Sequence, residues 1–161
     1  MKISRNRIDL ENARLEQAVF KRYHETGVPV TASATTPLDI SSGNVFLLAH
    51  GTNITTLNVT NPSASGTLTS ITIIRTKDAS GTTRTIAWPD TFLFPGDTPP
   101  TLTQTTGAVD VITAFTMNGG DAWVAFAGGL DMVAPARTPE VAFTDSAEDE
   151  GSATTYTFSG L

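Results

Sequence analysis

Residues 109–127 carry the pattern that most constrains the fold of this chain. Both halves of the stretch show the period-two alternation of a β-strand, and Asn118-Gly119-Gly120 stands between them. Asn-Gly and Gly-Gly accept the positive φ angles that a tight turn requires, so the pattern predicts a β-hairpin. Both faces of the hairpin carry apolar groups. We therefore expect one face to be covered by a second sheet and the other by a loop or a neighbouring subunit.

Five further segments have the composition of strands, and clusters of turn-forming residues separate them. The predicted strands are residues 44–50, 54–60, 68–76, 83–88 and 101–105, and the turns include residues 51–53, 61–66 and 77–81. Helical periodicity is absent from this part of the chain. We therefore expect a mainly β fold, in which residues 37–133 form an antiparallel β-sandwich of immunoglobulin-like size.

The connection formed by residues 89–100 contains Phe92, Phe94 and several prolines. Proline lacks a backbone donor and has a fixed φ, so this segment cannot be an interior strand. The two phenylalanines predict a loop that is packed onto the core as a buried lid. The alternative is an exposed aromatic platform for binding.

An N-terminal helix is predicted from Asp9 to about Glu25, because acidic residues begin it, basic residues end it, and Gly27 and Pro29 follow. Its apolar residues form a narrow stripe, which consists of Ile8, Leu15, Ala18, Val19 and Tyr23. A single helix of this length is marginal in water, so another surface must cover the stripe. The helix either folds back onto its own sheet, or it packs against copies of itself or docks into a larger assembly.

Residues 27–36 are small, polar and without pattern, and they read as an extended linker. This linker favours docking, with residues 1–26 acting as an anchoring helix. At the other end, residues 134–161 read as a second linker and the start of another β-module. Two short strands are expected there, at residues 140–143 and 154–159, around an acidic segment, and such a pair is not stable alone.

The charge of the chain is uneven. The net charge is −6, but residues 1–25 carry a balance of +2 and the remainder a balance of −8. An acidic body repels a nucleic-acid backbone, so we expect no nucleic-acid partner. The polar, basic start predicts no signal peptide and no membrane insertion, and the chain has no cysteine for a disulfide framework. We expect a protein made in a cytoplasm.

No residue set predicts catalysis, a cofactor or a metal site. His24 and His50 are the only histidines, and nothing in the sequence places them together, so both are expected to be surface or capping residues. The glycine pairs at residues 119–120 and 128–129 are interpreted as turn glycines, since neither follows a strand and opens a helix. Trp88 and Trp123 each sit in an alternating segment and are interpreted as core residues.

An acidic cluster near the C-terminus is a candidate for a calcium-binding site. Its members are Asp145, Glu148, Asp149 and Glu150, and carboxylate oxygens suit that ion. Their spacing does not match the loop of the helix-loop-helix calcium sites. A solvated acidic turn is the favoured interpretation.

Five stretches in sequential order carry a resemblance to a known class of proteins. They are residues 71–74, 81–89, 94–103, 107–112 and 120–131. Together they cover about residues 42–133, and they resemble a β-rich module of tailed-bacteriophage structural proteins, especially tail-fibre and related receptor-binding appendage proteins. Residues 154–161 are similar to the first strand of another β-module in such appendages. The N-terminal helix and linker resemble the adaptor that fixes a fibre to a tail or capsid.

The resemblance implies a virion structural protein without enzymatic residues. It would form the anchoring part of a tail fibre, spike or head fibre that supports host attachment, and it would be a homo-oligomer, with a trimer favoured. Its partners would be tail or capsid proteins, contacted through the N-terminal helix, and a host surface glycan could be contacted through a distal region. A capsid decoration protein and a carbohydrate-binding module are the alternatives. In the latter, Trp88, Phe92 or Phe94 would act as stacking platforms.

Overall fold

The computed structural model describes residues 24–132 and, for the backbone, residues 2–4 and 7–9. The two N-terminal pieces, β1 (Lys2–Ser4) and β2 (Arg7–Asp9), pair with each other in antiparallel fashion. The body of the protein is formed by residues 24–132. Its described elements are strands and two short 3-10 turns, at Ile40–Ser42 and Pro95–Asp97.

A six-stranded mixed sheet forms the larger layer of the body. Its strands are β3 (Gly27–Thr31), β5 (Val45–His50), β7 (Thr69–Lys77), β8 (Phe92–Leu93), β9 (Val109–Thr116) and β10 (Trp123–Met132). They follow the order β3-β5-β7-β9-β10-β8. The pairs β3–β5, β5–β7 and β10–β8 are parallel, whereas β9 is antiparallel to both β7 and β10.

A smaller parallel sheet consists of β4 (Thr35–Asp39) and β6 (Thr56–Thr60). The chain alternates between the two sheets, running from β3 to β4, back to β5, then to β6 and back to β7. Each passage through the small sheet returns the chain to the large sheet in its earlier direction. Parallel neighbours need such a crossover connection, and here a strand of the other sheet provides it.

One hydrophobic core unites the two sheets. Leu38 of β4 and Leu57 of β6 belong to the same buried cluster as the inward-facing residues of the large sheet. Those residues include Phe46, Leu48, Ile71, Ile73, Ile112 and Ala114, each no more than 1% exposed. Burial of an aliphatic or aromatic side chain contributes about 1.5–3 kcal/mol relative to its exposed state, so this cluster is the main source of stability.

The hairpin predicted at residues 109–127 is confirmed. β9 and β10 pair in antiparallel fashion, with Phe115 opposite Val124, and Gly119 and Gly120 have φ angles of 74° and 94° in the turn. The prediction ended the second strand too early, because β10 continues to Met132 after two irregularities in the register. Trp123 is 2% exposed and is a core residue, as predicted.

The prediction of a mainly β fold is confirmed, but the prediction of purely antiparallel pairing is wrong. β3, β5 and β7 run parallel to one another, and so do β4 and β6. Alternation within a strand shows which face is buried, but it does not show the direction of the neighbouring strand. The prediction rested on the spacing of strands and turns and on the absence of helical crossovers, whereas here strands of the small sheet provide the crossovers that parallel neighbours need.

The prediction of a linker at residues 27–36 is wrong. Gly27–Thr31 and Thr35–Asp39 are β3 and β4, so the folded body begins before residue 37. Val28 and Val30 pack against the core and alternate with the exposed Pro29, which is the pattern of a strand. Pro29 and the surrounding small residues hid this pattern, but proline is compatible with a strand at the edge of a sheet.

Two other predicted strands are not regular strands. In residues 83–88, Ile86 forms a single bridge with Ile54, and residues 101–105 have no strand partner. In this segment, side chains form hydrogen bonds with backbone groups that a neighbouring strand would otherwise bind. The Gln104 amide accepts from the Arg84 N–H at 2.8 Å and donates to the Arg84 carbonyl oxygen at 3.0 Å, and Asn53 Oδ1 accepts from the Thr85 N–H.

The helix predicted from Asp9 to Glu25 falls mainly on residues 10–23, outside the described residues. At its two ends, Asp9 is the last residue of β2, and residues 24–26 have no regular structure. The predicted second linker, the strands at 140–143 and 154–159, and the acidic cluster of Asp145 to Glu150 also lie outside the described residues.

Candidate functional site

The outward-facing side of the large sheet carries most of the exposed large apolar side chains of the described body. The pairing register places side chains from neighbouring strands in rows across it. One row contains Leu47, Ile74 and Val111, and another contains Phe115, Val124 and Leu93. Several of these side chains are largely exposed, with values of 43% for Leu47, 45% for Val124 and 49% for Leu93. We call this surface the outer face.

No charged residue occupies an outer-face position at which the strands pair in register, and the charged residue Asp131 of β10 falls within a register irregularity between Gly129 and Met132. Its apolar members are Val45, Leu47, Ile74, Leu93, Val109, Val111, Phe115, Val124, Phe126 and Met132, and its remaining positions are Pro, Ala, Gly, Ser or Thr. An exposed apolar patch of this kind on a folded domain marks an interaction site. The expectation that the second face of the hairpin also needs a cover therefore has a structural basis.

One open edge of each sheet, β3 in the large sheet and β4 in the small sheet, carries a proline. Ala32 N–H donates to the Ala49 carbonyl, so the even-numbered residues of β3 point their backbone groups toward β5. The backbone nitrogen of Pro29 then faces away from β5, toward the open edge of the sheet. In β4, the Ala34 carbonyl accepts from β6, which places Pro37 in the equivalent outward position. Each proline removes a donor from the exposed edge and so disfavours addition of another strand.

A fully buried polar cluster lies at one end of the core. Arg75 and Asp110 face each other across β7 and β9, and both side chains are 0% exposed. Arg75 Nη1 donates to Asp110 Oδ2 at 2.7 Å, and Arg75 Nε donates to His50 Nδ1 at 2.8 Å. Thr103 N–H and Asp131 N–H also donate to the carboxylate, at 2.8 Å and 3.0 Å. The cluster ties β5, β7, β9, the end of β10 and the 101–105 segment together.

The electrostatics of this cluster favour a neutral histidine and a charged carboxylate. Burial would raise the pKa of Asp110, but hydrogen bonds from Asp131 and Thr103 and the charge of Arg75 outweigh it and hold that pKa below its ordinary value. Burial, followed by the positive charge of Arg75, lowers the pKa of His50 to about 4. His50 Nε2 and Arg75 Nη2 have no hydrogen-bond partner among the described residues.

We expect the stability of the protein to fall as the pH decreases from about 6.5 to about 4. In this range the unfolded chain binds a proton at His50, whereas the folded protein, with a His50 pKa of about 4, does not. The free energy of unfolding should fall by up to about 3 kcal/mol over this range. Urea unfolding at pH 7 and at pH 4.5 measures the difference. His50→Gln should flatten the profile in this range, and an equal decrease in both proteins would contradict the assignment.

A second ionic cluster stands beside the first. Arg84 Nη2 binds Asp78 Oδ2 at 2.7 Å, and Lys77 also forms an ion pair with Asp78. Hydrogen bonds from Arg84, and then from Lys77 and Ser80, hold the pKa of Asp78 well below its usual range. Arg75, Lys77 and Arg84 are the only arginine and lysine residues from 24 to 132, and each of them forms an ion pair.

The loop of residues 89–100 is pinned onto the core, as the buried-lid interpretation predicted. Phe92 and Phe94 are 5% and 6% exposed, and Phe92 stacks on Trp123 at a centroid distance of 5.9 Å. Trp88 packs against the core but is only partly buried, so the prediction that it is a core residue is confirmed only in part. It borders two clefts, of about 440 Å³ and about 290 Å³.

The larger cleft offers no charged side chain that is free to bind a ligand. It is lined mainly by residues 83–86 and 100–102, and its one charged side chain and its one amide side chain are already engaged. Arg84 is bound to Asp78, and the amide of Gln104 is bound to the backbone of Arg84. This cleft offers an apolar wall without a free charge.

A scan against protein-family models, a search of curated proteins and a search of solved structures find no match to this chain. The resemblance to phage appendage proteins therefore stays a prediction. Among the described residues there is no group of three or more side chains suited to holding a metal ion. The described residues also include no helix with the length and apolar character needed to cross a membrane.

The two histidines occupy opposite ends of the sheet. His24 is exposed and precedes β3, whereas His50 ends β5 and is 0% exposed. The prediction of a surface or capping position is therefore wrong for His50. Sequence reasoning also missed Arg75 and Asp110 as buried partners. The sequence did contain a signal for this pair. Each residue is charged and occupies an inward position of an otherwise apolar strand, and a buried charge needs a partner.

Proposed function

We propose that this chain is a bacteriophage virion structural protein without enzymatic activity, the anchoring part of a tail fibre, spike or head fibre that supports host attachment. The observation that carries the proposal is the outer face, an apolar sheet surface that residues 24–132 leave open to solvent. A protein with such a surface is suited to a place inside an assembly. The resemblance of residues 42–133 to phage appendage modules supports the same function.

A homotrimer is the arrangement we favour, with the outer face buried between copies. Cyclic symmetry lets each copy present the same surface to its neighbours and closes the assembly. Pro29 and Pro37 support face-to-face association, because they disfavour addition of a strand from another copy at the β3 and β4 edges. We also propose that the two sheets form the layers of a β-sandwich, since their inward side chains share one core.

The partners follow from charge and from the N-terminal segment. Residues 1–25 carry a balance of +2 and the amphipathic stripe predicted from sequence, so we propose that they bind other virion proteins of the tail or capsid. The body has eight acidic and three basic residues between 24 and 132, and a surface of this sign does not suit nucleic acid. A distal region of the fibre would contact a host surface glycan, and the protein would reside in the virion after synthesis in the host cytoplasm.

Deletion of residues 1–26 tests the anchor. We expect the shortened protein to keep a folded β-body, because β3 begins at Gly27, and to be absent from purified particles. Circular dichroism checks the fold, and immunoblotting of particles checks incorporation.

Two single substitutions to glutamate refine this test. Leu15→Glu lies on the predicted stripe and should reduce incorporation. Gln17→Glu lies two residues further along, on the opposite side of the predicted helix, and should leave incorporation unchanged. Incorporation of the deletion variant at the normal level would contradict the anchoring role.

Copy number separates the proposed fibre from the alternative of a capsid decoration protein. A fibre component is present in few copies per particle, whereas a decoration protein covers the capsid. A carbohydrate-binding module is the weaker alternative. Burial of Phe92 and Phe94 opposes their use as stacking platforms, and only Trp88 keeps partial exposure.

A further inference from the structure

We propose that the smaller cleft beside Trp88 binds an organic cation, an ammonium or guanidinium group. This inference goes beyond the structural role proposed above and does not depend on it. The cleft has a volume of about 290 Å³ and is lined by Trp88, Phe92, Phe94, Asp90 and Asp97, together with two prolines. We call it the Trp88 cleft.

The aromatic wall of the Trp88 cleft is held in place by the core. Trp88 and Phe94 meet edge to face, with centroids 5.2 Å apart and ring planes at 72°. Trp88 and Phe92 are 5.7 Å apart at 34°, and Phe92 rests on the buried Trp123. The face of an aromatic ring carries a negative quadrupole that attracts a cation within about 6 Å of its centroid, and tryptophan is the best of these rings. Trp88, which is only partly buried, would contact the cation, whereas the buried Phe92 and Phe94 support it. Because the rings pack on the core, little ordering is needed when a ligand binds.

Two carboxylates supply negative charge to the same cleft. The side chains of Asp90 and Asp97 are exposed, and neither makes an ion pair or hydrogen bond with another described residue. No described cation is available to neutralise them, because Arg75, Lys77 and Arg84 are each bound to Asp110 or Asp78. A cleft lined by charges of one sign concentrates ligands of the opposite sign. It therefore favours a cation and disfavours phosphate, carboxylate or sialic-acid groups.

A titration with choline chloride tests the proposal on the full-length chain. Isothermal calorimetry at low ionic strength should detect choline binding, and its neutral isostere 3,3-dimethylbutan-1-ol should bind at least about tenfold more weakly. N-acetyl-lysine methylamide and N-acetyl-arginine methylamide form a second arm. Tighter binding of these two compounds would identify a protein side chain as the source of the cation, and tighter binding of choline would identify a free small molecule.

Substitution of the two carboxylates locates the site. Asp97 has a φ angle of 54°, and asparagine tolerates this left-handed conformation, so Asp97→Asn keeps the backbone while removing the charge. The double variant Asp90→Asn/Asp97→Asn should lose at least about tenfold in affinity for choline. Asp121→Asn removes one charge from an exposed residue that does not line the cleft, and it should bind choline as the wild type does.

Three results would overturn the proposal. They are equal binding of choline and its isostere, unchanged choline affinity in the double variant, and binding of methyl glucoside with no binding of any cation. The last result would instead assign the cleft to a neutral saccharide. None of these three binding results bears on particle incorporation. The cation-binding proposal can therefore fail without contradicting the structural role.

Discussion

Replacing Asp110 with alanine should lower the free energy of unfolding by about 3–5 kcal/mol, the loss expected when one partner of a buried ion pair is removed. Asp110 accepts from Arg75 Nη1, Thr103 N–H and Asp131 N–H, and all of its side chain is buried. The substitution leaves the Arg75 guanidinium charged inside the core, with His50 and a carbonyl of Thr103 as its remaining partners. Urea unfolding at pH 7 measures the change.

Two further variants separate the ion pair from other effects of the substitution. Asp121→Ala removes a carboxylate from an exposed position and should change stability by less than about 0.5 kcal/mol. Replacing both partners, as Arg75→Met/Asp110→Leu, should recover much of the loss, because a well-packed apolar pair is often as stable as a buried ion pair. A loss below about 1 kcal/mol in Asp110→Ala would mean that the cluster does not hold the strands as described.

If the proposed oligomer buries the outer face, adding charge to that face should convert the oligomer to a monomer. Leu47, Val124 and Phe126 are 40–45% exposed in the single chain, so glutamate at these positions is compatible with the folded monomer. In an assembly that covers the outer face, the same carboxylates would be buried without a partner. Leu47→Glu/Phe126→Glu should therefore weaken association by at least about a hundredfold, since each buried unpaired charge costs several kcal/mol.

The control for this prediction is Thr82→Glu, which adds a charge to an exposed loop beyond β7. It should associate as the wild type does. Size-exclusion chromatography with light scattering compares the variants, and circular dichroism verifies that each is folded. Unchanged association of Leu47→Glu/Phe126→Glu in a folded state would show that the outer face is not the contact between copies.

The local elements of the fold could be predicted from sequence because their signals are local. The hairpin at residues 109–127 combined alternation with a turn that needs glycine, and Gly119 and Gly120 do adopt positive φ angles. The buried lid followed from Phe92 and Phe94 within a proline-rich loop. The apolar outer face was expected because both faces of the hairpin carried apolar groups.

The long-range features could not be predicted in the same way. Arg75 lies 25 residues from His50 and 35 from Asp110, and only the register of β5, β7 and β9 brings them together. The parallel direction of β3, β5 and β7 depends on connections through the other sheet. In residues 83–88, the side chains of Asn53 and Gln104 satisfy backbone groups that a strand partner was expected to satisfy.

Sedimentation velocity of the unmodified full-length chain, over a range of concentrations, tests the central claim most directly. The apolar outer face predicts a discrete oligomer, with the mass of a trimer favoured, that persists on dilution. A stable monomer at every concentration would contradict the claim. It would mean that the chain covers its own outer face and does not need a neighbour.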